Sequence, residues 1–76
     1  VQTCALPISD IRLKENVQKV GEDNGLSLYT WDWNDKAREI GVDHQVRMGV
    51  IAQELGDHPA VGTDRHGYLT VNYNSL

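Results

Sequence analysis

The clearest alternation of apolar and polar positions runs from Leu26 to Trp33, where Tyr29, Trp31 and Trp33 alternate with Leu28, Thr30 and Asp32. A period of two puts the three rings on one face of a β-strand. Just upstream, Glu22-Asp23-Asn24-Gly25 reads as an acidic turn, with Asn24-Gly25 suited to the positive φ values of a tight hairpin bend. Val17 and Val20, three apart within Glu15 to Val20, predict a helical turn ending at Gly21. Asn34 as N-cap, Asp35 at the positive end of the dipole and Gly41 just past the end predict a short helix over Asp35 to Ile40, with Ala37 and Ile40 inward. Val42 to Arg47 predicts a polar loop. Met48 to Ile51 predicts a brief buried strand, with Gly49 admitting a close backbone neighbour. Ala52 to Leu55 then forms one helical turn stopped by Gly56. After a turn at His58-Pro59, Ala60 to Thr63 and Tyr68 to Tyr73 predict a second hairpin around Asp64-Arg65-His66-Gly67. The expected fold class is therefore α+β, a small, mostly antiparallel sheet with short helices.

Length and charge narrow the possibilities. Seventy-six residues make one domain at most, and a domain of that size hides only about 60% of its unfolded surface, so help from partner chains is expected. A net charge of −4 with acids and bases interspersed provides no basic stripe for nucleic acid and no cationic face for a membrane, and no apolar run is long enough to span a bilayer. Neither nucleic acid nor a membrane is an expected partner. The histidines, His44, His58 and His66, lack the paired spacing of zinc ligands, and Cys4 stands alone, so neither metal nor cofactor is expected. No phosphate loop, nucleophile elbow or calcium loop is present.

Three blocks carry more information than composition. Ser9-Asp10-Ile11-Arg12-Leu13-Lys14-Glu15-Asn16, Gly49-Val50-Ile51-Ala52-Gln53-Glu54 and Gly67-Tyr68-Leu69-Thr70-Val71-Asn72-Tyr73 resemble, in order, the signature blocks of the intramolecular chaperone, or S74-type self-cleaving, domain found at the C-terminus of phage tail fibres and tailspikes. That resemblance implies residues 9–76 as the domain, Ser9 as nucleophile, Lys14 as its base and the Ile8–Ser9 bond as the cleavage site. It also implies a homotrimer that holds an upstream β-rich shaft of the same chain in register, assembles in the host cytoplasm and leaves the virion tail fibre once cut. A C-terminal coiled-coil helix, usual after the third block, is expected to be missing here.

The chemistry sets conditions on this pair. A serine hydroxyl needs a base, and a lysine serves as one only when neutral, far below its free pKa of about 10.4, through burial or a nearby cation. Five residues along a helix turn a side chain by about 140°, and five along a strand put it on the opposite face. A bend at Asp10 to Arg12 is therefore required, with Ile11 and Leu13 gripping the body of the domain. Taken alone, Ser9 or Asp10 would read as a helix N-cap and Lys14 as a solvated charge. Gln53 and Glu54, at a strand-to-helix junction, are possible supporting residues that reach the site, and Gln53 equally suits capping of exposed backbone groups.

Residues 1–8, Val-Gln-Thr-Cys-Ala-Leu-Pro-Ile, look like the translation of a sequencing-library adapter and are expected to be non-native. Two functions compete with self-cleavage. One is a trimerisation cap that does not cut. The other is a fibre tip on which Tyr29, Trp31 and Trp33 stack against glycans, although core packing is the commoner fate of such a row.

Overall fold

The computed structural model describes residues 7–76, so the expectation for residues 1–8 falls outside the described residues except at Pro7 and Ile8. Two antiparallel sheets and two short helices make up the fold, as the α+β class requires. In the first sheet β1 (Lys14–Asp23), β2 (Leu26–Trp33) and β3 (Met48–Gly49) lie in that order. The second pairs β4 (Val61–Thr63) with β5 (Leu69–Val71). Helix α1 (Asp35–Ile40) and helix α2 (Ala52–Leu55) lie in the connections on either side of β3.

The first hairpin turns where the sequence says it should. Asn24 and Gly25 take φ of 53° and 81°, and Asp23 pairs directly with Leu26, a two-residue loop whose twist suits the flanking strands. Its first strand, however, corrects the helical reading of Glu15 to Val20. Between Glu15 and Gln18 β1 advances three residues while β2 advances from Asp32 to Thr30, and a second extra residue lies between Lys19 and Gly21. These bulges break the two-residue period and leave Val17 and Val20 three apart, which imitates a helical turn. At the first bulge Asn16 has φ 54° and its Nδ2 donates to Asp32 Oδ2 at 3.0 Å, consistent with asparagine's tolerance of the left-handed region.

Helix α1 is capped as expected, Asn34 Oδ1 accepting from Ala37 N–H at 3.0 Å and Gly41 turning left-handed at φ 83°. The strand expected over Met48 to Ile51 is shorter: only Met48 and Gly49 pair with β2, Met48 is exposed, and Val50 and Ile51 turn into the interior. Gly49 does meet a close neighbour, but that neighbour is a side chain. At φ 155° an added Cβ would collide with the Tyr73 hydroxyl. Likewise the strand expected over Tyr68 to Tyr73 keeps only Leu69 to Val71, with Tyr73–Ser75 coiled into a 3₁₀ turn.

Two clusters fill the interior. Ile8, Leu13, Trp31, Trp33, Ala37 and Ile51 form one, with Trp31 and Trp33 edge-to-face at 5.7 Å between centroids. Val50, Ala52, Ala60 and Val71 form the other. Because Trp31 and Trp33 are buried, the row of aromatics packs the core and offers no platform for a sugar.

Candidate functional site

The chain does bend between Ser9 and Lys14. Ile11–Leu13 makes a single 3₁₀ turn, Leu13 N–H donating to Asp10 O at 3.2 Å. Leu13 is wholly buried as expected, whereas Ile11 is 38% exposed and does not grip the body of the domain. One turn of 3₁₀ helix returns the backbone so that Ser9, Asp10 and Lys14 are all buried, although Ile11 and Arg12 between them are not.

Upstream of the bend the chain is clamped as an extra strand. Val71 N–H donates to Pro7 O at 3.1 Å, Ser9 N–H to Leu69 O at 3.0 Å, and Ile8 forms an isolated antiparallel bridge with Thr70. On the other edge Ile8 N–H donates to Gln45 Oε1 at 2.9 Å. Ala52 N–H, at the start of α2, donates to Ser9 O at 2.7 Å. The Ile8–Ser9 bond is thus held on both sides, and the Ile8 side chain is packed into the first cluster.

Lys14 is 7% exposed, and its Nζ sits 3.5 Å from the centroid of the Trp31 ring and 3.5 Å from Val50 O. Loss of water pushes the amine down to about 7, with the Asp10 charge pulling the other way. The indole face also attracts the ammonium form and resists the drop. The Ser9 hydroxyl is buried and has no hydrogen-bond partner among the described residues. Ser9 and Lys14 are therefore both buried, one at either end of the bend, with no hydrogen bond between them, and Lys14 rests against Val50 O.

Asp10 is a residue that sequence reasoning treated only as a cap. It does cap the 3₁₀ turn, accepting from Arg12 N–H at 2.9 Å, and it also holds the site together. Arg12 Nε and Nη2 reach it at 3.0 and 2.6 Å, Gln53 Nε2 at 2.7 Å and Leu69 N–H at 2.9 Å. Burial opposes its charge, but the Arg12 side chain, Leu69 N–H, Arg12 N–H and Gln53 outweigh it and hold the carboxyl well below the usual range. One buried carboxylate thereby ties the first, second and third sequence blocks to one another.

Gln53 caps exposed backbone, its Oε1 accepting from Ile11 N–H at 2.9 Å, and its Nε2 donates to Asp10. Glu54 points elsewhere and accepts from Tyr29 OH at 2.5 Å. Gln45, which no motif marked, grips Ile8, and only its long-range contact identifies it. Among the described residues no group of three or more His, Cys, Asp or Glu side chains gathers as a metal site, and no helix is long and apolar enough to cross a membrane.

Fold and site together define a small α+β domain that clamps the segment before its bend and buries a desolvated amine and a hydroxyl at the ends of that bend. The chain belongs to the S74 peptidase family, described as the chaperone of endosialidase, whose model matches residues 9–58. No curated protein and no solved structure matches the chain.

Proposed function

We propose that the chain is the intramolecular chaperone of a phage tail fibre or tailspike, and that it assembles as a homotrimer and frees itself by cutting the Ile8–Ser9 bond. The observation that carries this reading is the Lys14 amine, buried on the Trp31 face and pushed down to about 7, in a chain that bends between it and a Ser9 hydroxyl that is also buried and unpartnered among the described residues. Membership of a peptidase family of chaperones supports it.

In the proposed reaction neutral Lys14 takes the Oγ proton of Ser9, and Oγ attacks the carbonyl carbon of Ile8. The Ile8–Ser9 C–N bond breaks as an Ile8–Oγ ester forms, and Lys14 returns its proton to the new Ser9 amine. Water then hydrolyses the ester, leaving an Ile8 carboxylate and restoring the Ser9 hydroxyl. Nucleophile and carbonyl are neighbours in one clamped chain, so the attack carries no cost of bringing reactants together. Each chain reacts once. Assembly gains because pairing of shaft strands between chains is slow, and a joined trimer raises their effective concentration. Removing the chaperone afterwards makes the folding step irreversible and leaves the shaft kinetically protected.

A second reading, a trimerisation cap that does not cut, draws on the missing hydrogen bond between Ser9 and Lys14. Intact-mass measurement separates the two on the chain fused through Pro7-Ile8, as the sequence has them, to a trimeric β-rich stalk. Release of the stalk ending at Ile8, lost in both Ser9→Ala and Lys14→Ala while trimers persist, is the expected result. Stalk release that survives either substitution refutes the pair, and an uncut parent trimer leaves the cap.

A further inference from the structure

The register of the clamped strand fixes where the scissile carbonyl points. Flanking bonds from Val71 N–H to Pro7 O and from Ser9 N–H to Leu69 O make Ile8 and Thr70 a non-hydrogen-bonded pair. In such a pair the residue's own N–H and C=O both face away from the neighbouring strand. The position of Gln45 agrees, since it takes the Ile8 N–H from that far edge. The Ile8 carbonyl oxygen accordingly points away from β5, and Ile8 also lines a cleft of about 150 Å³ together with Ser9, Trp31 and Gln45 among others. Two of the residues that line it, Ser9 and Trp31, each carry a buried polar atom without a partner among the described residues, Ser9 Oγ and Trp31 Nε1. A buried indole N–H without an acceptor is costly and uncommon, and a carbonyl oxygen of a residue lining the same cleft would give it a use.

We propose that the Trp31 indole N–H is the donor that stabilises the oxyanion formed on Ile8, with Gln45 as the positioning residue that aims the Ile8 carbonyl into the cleft. Trp31 then has two separate functions. Its face desolvates Lys14 at 3.5 Å, and its edge receives the negative charge that develops on the Ile8 oxygen. An oxyanion donor acts only on the transition state, so its loss lowers the rate without altering the protonation of the base. The inference rests on the self-cleavage proposed above.

The test is the pH dependence of stalk release from the same fusion, followed by intact mass. Trp31→Phe removes the N–H and keeps a ring. Because a smaller ring can disturb the core, 3-benzothienylalanine at position 31, introduced by codon suppression, supplies an isostere in which sulfur replaces N–H and the two-ring face over Lys14 remains. Both are expected to cut about 10²- to 10³-fold more slowly at the plateau with an unchanged pH midpoint. Gln45→Met, in a Ser9→Ala background, is expected to expose the Ile8 amide to hydrogen exchange. A folded benzothienyl variant that cuts within threefold of the parent, or one whose loss comes with a moved pH midpoint, overturns the donor role and leaves the Ser9–Lys14 reading standing. A parent fusion that never cuts removes both.

Discussion

A lysine kept neutral by burial must weaken the fold that buries it, and the size of that effect can be worked out. Lys14 falls from an ordinary value of 10.5 to about 7, and each pH unit corresponds to about 1.4 kcal/mol. Between about pH 7 and 10.5 the unfolded chain carries the Lys14 proton and the folded chain does not, so stability rises with pH across this window. Below about pH 7 both states carry it and the penalty is complete. At neutral pH it comes to about 4 kcal/mol, an upper value because the Trp31 face attracts the ammonium. Lys14→Met keeps the stem and removes the charge. In a Ser9→Ala background, which prevents cutting, the Met variant is expected to be more stable by up to about 5 kcal/mol at pH 6, with the gap closing towards pH 10. Urea unfolding at one-unit pH steps measures it, and at about 1 kcal/mol per molar for a domain this small the midpoint moves by molar amounts. A gap that stays constant with pH, or a Met variant less stable at every pH, means that the amine is solvated and charged, and the case for Lys14 as a base fails with it.

Two further outcomes follow from the neighbours of this amine and from the core. Arg12→Met strips Asp10 of its main charged partner, so the carboxylate field raises the Lys14 amine and the midpoint of the pH–rate profile for stalk release, expected near 7 in the parent, moves to higher pH; an unmoved midpoint refutes the coupling. Gly49→Ala forces a Cβ against the Tyr73 hydroxyl and is expected to cost about 1–3 kcal/mol. Adding Tyr73→Phe should recover part of that loss in thermal melts despite the lost bond to Val50 N–H, whereas strictly additive losses would mean that the two residues do not meet.

What could be read from the sequence was local. Asn24-Gly25, Asn34 with Gly41, and Gly56 each specify a turn or cap through their own backbone preferences, and the hairpin and both helices fall where those residues put them. Strand β1 escaped because its two bulges cannot be seen without its partner: the period that betrays a strand is measured along one chain, while a bulge is a mismatch between two. Asp10 escaped for a related reason. Its donors come from Arg12, Gln53 and Leu69, and two of those lie more than forty residues away, so its neighbours in sequence suggest only a cap. Gln45 sits in a loop that polarity alone marks as surface, yet its side chain holds Ile8.

Burial of Lys14 and the small size of the core combine to leave the isolated domain weak. Two separate clusters share the interior, and beside the Ser9 cleft Val46 is 72% exposed and Met48 54%. A partner that binds the folded state and ignores the unfolded one adds its binding free energy to stability. In the proposed trimer the copies would cover these side chains and offset the Lys14 penalty together. Covering the cleft would also exclude water from around Ser9 and the Ile8–Ser9 bond that line it. Assembly would then strengthen the fold and shield the bond to be cut at once, so a chain would become able to cut itself at the stage when its shaft no longer needs to be held.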